Sequence, residues 1–243
     1  MKNRNKAIKK LLIAATVAIL VWSNVPTANA APASPQKGIV LVIDAGHGGA
    51  DGGAVSPSGV KESEINLDIA LKLDELMAFF GVRTVMTRET EKIEYSDTAG
   101  TIRQKKTEDQ KNRVSLIENT KNSVLISIHQ NKYPKSGPFG AQVLFSENFP
   151  GEALADIMQK TLVEALNRDN YRSASKIPDD VYLMKKVTCP AILIECGFLS
   201  NPHEEVLLNT IAYRLKVAAA IAAGYLKSEK LLAESIFGGT NEG

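Results

Sequence analysis

The stretch IVLVIDAGHGGADGG, residues 39–53, runs five apolar β-formers into an aspartate and then sets a histidine among five glycines. A continuous apolar run of this kind suits a strand covered on both faces. Glycine permits unusual backbone angles and lets another group come close to the chain. The stretch therefore reads as a buried strand that opens into a loop built to face something: a phosphate, another backbone, or a metal with its substrate.

Similar runs recur at VRTVMT (82–87), SVLISIH (123–129), AQVLFS (141–146) and AILIEC (191–196). Helical patterns lie between them. EINLDIALKLDELMAFF places Ile65, Ile69, Leu73, Met77 and Phe80 on one face, with Gly81 as a stop. GEALADIMQKTLVEALNR repeats the pattern with Leu154, Ile157, Met158, Leu162 and Leu166. In SNPHEE, Asn201 is the expected N-cap, Pro202 the first helical residue and Glu204 its capping-box partner. A last apolar helix is expected over roughly 210–227. Alternating strands and helices predict an α/β single-domain layered fold: a twisted, mostly parallel central sheet with helices on both faces. The polar stretch 89–110 reads as a surface excursion.

The 243 residues are 44% hydrophobic, enough for a large core. Residues 1–30 hold five of the 29 basic side chains and no acid, which leaves 24 basic against 27 acidic residues, a net of −3, for the remainder. A body of that charge has no global attraction for nucleic acid. A basic start, the apolar run LLIAATVAILVW (11–22) and the small residues Ala28-x-Ala30 together read as an export signal. The other reading of 11–22 is an uncleaved membrane anchor; both put the folded part outside the cytoplasm. The expected division is therefore a signal at 1–30, a linker at 31–37, the folded domain at 38–228 and a flexible tail at 229–243. Cys189 and Cys196 flank a strand, about 23 Å apart if extended, too far for a disulfide.

A nucleotide site is disfavoured. After Gly46 and Gly48 the dinucleotide fingerprint requires glycine at 51, where Asp51 stands, and no Gly-Lys-Ser/Thr of a P-loop occurs. Histidine is scarce: His47, His129 and His203 are the only three. Two of them close apolar runs. A catalytic zinc site takes three protein ligands from His, Asp or Glu and leaves one position open. His47 and His129 supply two, and spacing leaves the third open between Glu62 and Glu64. Glu195 closes an apolar strand, so its carboxylate needs a strong partner, either a salt bridge or water activated by a metal. Asp44 is read either as an acceptor for a ligand imidazole or as a buried residue bonding loop amides. Asn131 is read either as a substrate contact or as a loop stabiliser. Arg88 and Arg113 are read as salt-bridge formers first and as partners of substrate carboxylates second. His203, at an exposed helix start, has no assigned role.

IDAGHGGADGGA, KESEINLDIA, LISIHQN and ILIECGFLSNPHE resemble, in order and spacing, the zinc-dependent N-acetylmuramoyl-L-alanine amidases of the amidase-3 type, over about residues 38–227. The resemblance implies one zinc ion per chain on His47, Glu62 and His129, which resolves the choice in favour of Glu62. It implies Glu195 as acid and base, with the glycines letting a glycan strand and its stem peptide approach the metal. The substrate implied is peptidoglycan, cut between the muramic lactyl group and L-alanine, and an accessory activator protein is a further expected partner. Within the family the compact domain most resembles germination-specific amidases of the spore cortex. Gln130, Ser63 and Ala45 depart from the family's usual Ala, Lys and Pro. The alternatives are a zinc peptidase or carboxypeptidase acting on stem peptides, and a non-catalytic wall-binding module.

Overall fold

The computed structural model describes residues 38–238. The expected export signal or anchor, the linker at 31–37 and residues 239–243 lie outside the described residues. Strand β1 is Val40–Ala45, β2 Arg83–Met86, β3 Ser123–Asn131, β4 Gln142–Phe145, β5 Ser175–Lys176 and β6 Ala191–Phe198. Helix α1 is Glu62–Phe79, α2 Ile102–Glu118, α3 Gly151–Leu166, α4 Tyr182–Lys186, α5 Pro202–Leu208 and α6 Ile211–Phe237.

The strands form one sheet in the order β2-β1-β3-β6-β4-β5. β2, β1, β3 and β6 are mutually parallel, whereas β4 runs antiparallel to β6 and carries β5 with it. The reversal follows from the connection. β3 and β4 are joined by loop 132–141 without a crossover helix, so the chain returns from the same end of the sheet. The predicted α/β layering and mostly parallel sheet are present.

Alternation along the strands separates two cores. Leu41, Ile43, Ile126, Ile128, Ile192 and Ile194 pack with α1, α3 and α6. Val42, Leu125 and Leu193 face the other way, onto Ile117 of α2 and onto Leu183 and Met184 of α4. The second face is the thinner one. Where it rises past its apolar residues it presents Asp44, Ser127, His129 and Glu195, and these belong to the site.

Four expectations need correction. The excursion at 89–110 is only partly irregular, because α2 begins at Ile102. Its start is a capping box between Thr101 and Gln104, and its buried residues are just Arg113 and Ile117, so the apolar periodicity is too weak to announce it. The tail expected from residue 229 is helical through Phe237, since Leu232 is fully buried against the core and extends α6. Glu195 does not end its strand: β6 continues to Phe198. Phe80, placed on the buried face of α1, is instead 53% exposed at the helix end.

Candidate metal centre

β1 delivers the chain to Gly46 and His47 beyond the C-terminal edge of the sheet. His47 has φ 61°, a left-handed conformation uncommon for a residue with a Cβ. Arg113 Nη2 donates to its carbonyl at 2.6 Å, and Gly48 and Asp51 exchange backbone hydrogen bonds of 2.7 and 2.9 Å, which hold the turn. A Cβ on Gly46 would lie 2.3 Å from Nε2 of His129, and one on Gly53 would lie 2.6 Å from Oε2 of Glu62. Gly46 and Gly53 therefore make room for the site's own side chains.

Glu62 opens α1 and is buried, while Glu64 points outward and meets only Lys61 at 4.0 Å. The backbone N–H of Ala54 donates to Glu62 Oε2 at 2.8 Å, and that of Gln130 donates to Oε1 at 3.1 Å. His47 Nε2 lies 3.3 Å from Oε2, and His129 Nδ1 lies 3.0 Å from Oε1. One donor atom from each of His47, Glu62 and His129 falls within 4.8 Å of the others, and no other His, Cys, Asp or Glu group among the described residues converges this way. Two imidazoles and a carboxylate on fixed backbone fit the donor set of a zinc site with a position left for water.

Burial pushes Glu62 upward, but the two imidazoles outweigh it and hold the carboxyl far below the usual range. Burial pushes His47 down, and the Asp51 and Glu62 carboxylates reverse this, raising it to about 9. Asp51 is the residue that sequence reasoning missed. Its Oδ2 lies 2.9 Å from His47 Nδ1 and 2.9 Å from Lys106 Nζ, so it fixes which imidazole nitrogen faces the centre. The signal was present as a second aspartate four residues after the histidine. Replacing this orienting carboxylate weakens metal binding about ten- to a hundredfold in such sites. Asp51→Asn is expected to do so here in a chelator competition titration, and unchanged affinity would remove Asp51 from the centre.

Asp44 takes neither role expected for it. Its carboxylate accepts from Arg113 Nη1 at 2.7 Å, Thr87 Oγ1 at 2.8 Å and Ser127 Oγ at 2.5 Å, and touches no imidazole. Burial raises its pKa, but Arg113 and Ser127 outweigh it and leave the carboxyl at about 2. Being depressed, Asp44 stabilises the fold fully above its ordinary value of 3.8 and loses that contribution as the pH falls toward 2. Arg113→Met strands a buried carboxylate, with an expected loss of about 3–5 kcal/mol at pH 7. Melting curves should show the wild type weakening below pH 4 and the variant regaining part of its loss as Asp44 neutralises. A variant as stable as wild type at pH 7 would contradict this. Arg88 likewise serves structure: it donates to the carbonyls of Ala45, Gly46 and Ser63 and pairs with Glu91.

The parallel register sets Glu195 beside His129. Its Oε2 is buried without a hydrogen-bond partner, a costly state for a carboxylate unless something else occupies the space in front of it. Burial, reinforced by the Glu62 charge, raises it to about 7. Gln130, in place of the usual Ala, donates through Nε2 to Asn66, whose amide reaches the carbonyl of Gly46. Asn131 ends β3 half-buried, and its carbonyl accepts from Leu199 at 2.8 Å. His203 is exposed on α5. Cys189 and Cys196 are unbridged, and burial pushes both thiols up, away from nucleophilic use. A cleft of about 260 Å³ opens at His47 and His129 and runs between Lys106 and Gln110 on one wall and Tyr182 on the other. A larger groove, about 540 Å³, surrounds Phe149 and Asp156 and contains no histidine.

Comparison with known proteins agrees over the same span. The sequence profile described as N-acetylmuramoyl-L-alanine amidase matches residues 41–227. The germination-specific N-acetylmuramoyl-L-alanine amidase of Bacillus subtilis is 35% identical over 194 residues, covering 79% of this chain and 81% of that protein. The CwlD amidase of Clostridioides difficile, solved in complex with the GerS lipoprotein, superposes with a TM-score of 0.76 at 37% identity over 79% of this chain and 99% of that one. The catalytic domain of the CwlV amidase from Bacillus (Paenibacillus) polymyxa gives 0.65 at 30% identity, covering 79% and 98%.

Proposed function

The chain belongs to the N-acetylmuramoyl-L-alanine amidase family, and from that premise we propose that His47, Glu62 and His129 hold one zinc ion while Glu195 moves the proton. The enzyme hydrolyses the amide between the lactyl group of N-acetylmuramic acid and L-alanine in peptidoglycan. One observation supports the residue assignment above all: three donors converge, and Oε2 of Glu195, beside them, is buried without a hydrogen-bond partner.

When bound, zinc acts as a Lewis acid that makes water acidic near neutral pH and polarises the scissile carbonyl. The protein's own part is positioning and proton transfer. Asp51 keeps Nε2 of His47 turned inward, and backbone N–H groups hold the Glu62 carboxylate in place. Glu195, raised to about 7, can take a proton from the attacking water and hand it to the departing alanine nitrogen at physiological pH. In this reading Asn131, two residues beyond His129, contacts polar atoms of the substrate.

The family's place of action is extracytoplasmic, and we assign residues 1–30 to export and the enzyme to spore-cortex maturation, where cleavage precedes muramic δ-lactam formation. The similarity to the germination-specific relative supports this, and the lipoprotein bound to the C. difficile neighbour supports an accessory partner of the same kind. The rival reading, a zinc peptidase on stem peptides, uses the same centre on a different amide. Digesting purified peptidoglycan separates them. Free L-alanine amino termini are expected, and any other new terminus would favour the peptidase.

A further inference from the structure

His129, Glu195 and Gln142 stand in one row across three neighbouring strands. His129 is in register with Glu195, and Glu195 is in register with Gln142 on the antiparallel strand β4. Registered partners present their side chains on the same face, about 5 Å apart at Cβ. The row therefore continues past the acid-base residue onto a shelf formed by β4 and the chain leading into β5. At its far side lies Arg172. Nη1 of Arg172 donates to Gln142 Oε1 at 2.9 Å, Nε donates to the Phe139 carbonyl at 2.9 Å, and the guanidinium lies 4.6 Å over the Phe198 ring.

Arg172 differs from most of the cations around the site, as does Lys132, which donates to the Val55 carbonyl. Arg88, Arg113 and Lys106 are each bound to a carboxylate of the protein, to Glu91, Asp44 and Asp51 respectively. Arg172 has no carboxylate within ion-pair distance among the described residues. Glu204, on the same rim, has its two oxygens taken by the N–H groups of Gly140 and Phe198. Glu204 is near enough for the Arg172 charge to act on it but is not bonded to it, and an arginine fixed by a carbonyl, an amide and an aromatic face, with no carboxylate bonded to it, keeps donors for an anion from outside.

The direction of the substrate follows from Glu195. As the group that protonates the departing nitrogen, it must face the leaving side of the amide, so the stem peptide extends away from the histidines and across β4. The second stem residue is a γ-linked glutamate whose α-carboxylate is free. That carboxylate lies at most about 7 Å from the leaving nitrogen, which spans one interstrand spacing of about 4.8 Å and the first atoms of the next side chain. We infer that Arg172, oriented by Gln142, binds the α-carboxylate of the second stem residue and makes the enzyme selective for glutamate over its α-carboxamide there. This rests on the amidase reading and deepens it.

The test compares two muropeptides that differ only in carboxylate or carboxamide at that position, with wild type, Arg172→Met and Arg172→Lys. Wild type should prefer the carboxylate. Arg172→Met should lose about ten- to a hundredfold in kcat/KM on the carboxylate substrate, mostly through KM, and almost nothing on the carboxamide. Arg172→Lys, which keeps the charge without the planar fork, should keep part of the preference. A variant that loses both substrates equally makes Arg172 a structural strut and overturns the inference. So does a wild type that cleaves both substrates equally well. A wild type that cleaves neither sinks the amidase reading, and this inference with it.

Discussion

Glu195→Gln is expected to lower turnover by about 10²–10⁴-fold, the usual range for removing a positioned acid-base group, while the protein still takes up one zinc per chain. The substitution preserves size and a polar tip, and Glu195 is not among the three converging donors. Its Oε2 is already without a partner, so no hydrogen bond of the fold is broken. The carboxylate is held at about 7 by burial, and its loss should also flatten the rise of kcat with pH through that region. Zinc content by elemental analysis and turnover on muropeptides are the two readings. Parent-rate cleavage by the variant would remove Glu195 from the chemistry.

His129→Ala should lose both metal and turnover. His129 is one of two imidazoles among the three converging donors, and its Nδ1 meets Glu62 at 3.0 Å, so removal would withdraw a proposed ligand and loosen the carboxylate that remains. The ring sits in space that Gly46 leaves open. The fold should persist, because β3 is anchored by Leu125, Ile126 and Ile128, all fully buried on the two sheet faces. The contrast between the two variants is the informative part: one keeps zinc without turnover, the other loses both. A His129→Ala protein that retained stoichiometric zinc would displace His129 from the ligand set.

Much of this was legible in the chain because strands covered on both faces must be apolar throughout, so IVLVID and AILIEC declare themselves. The histidines and Glu195 stood out by interrupting that apolarity at the edge where α/β sheets bind ligands. Other features left weaker traces. Helix α2 buries an arginine and one isoleucine, so its pattern looks like a solvated loop, although its Thr101–Gln104 box could have been read. The imidazole-orienting role considered for Asp44 falls to Asp51, because only the folded turn shows which aspartate the imidazole meets. Spacing alone left Glu62 and Glu64 equal; helix phase separates them, since Glu62 faces the strands and Glu64 faces water. The glycines were assigned to substrate access, whereas Gly46 and Gly53 are cut to the shapes of His129, His47 and Glu62.

Zinc dependence of the purified enzyme tests the centre most directly. Chelation should remove one equivalent of zinc per chain and abolish release of L-alanine amino termini, and adding zinc back should restore both together. Full cleavage by the zinc-depleted protein, with His47, Glu62 and His129 intact, would contradict a reaction that depends on those three side chains sharing a metal ion.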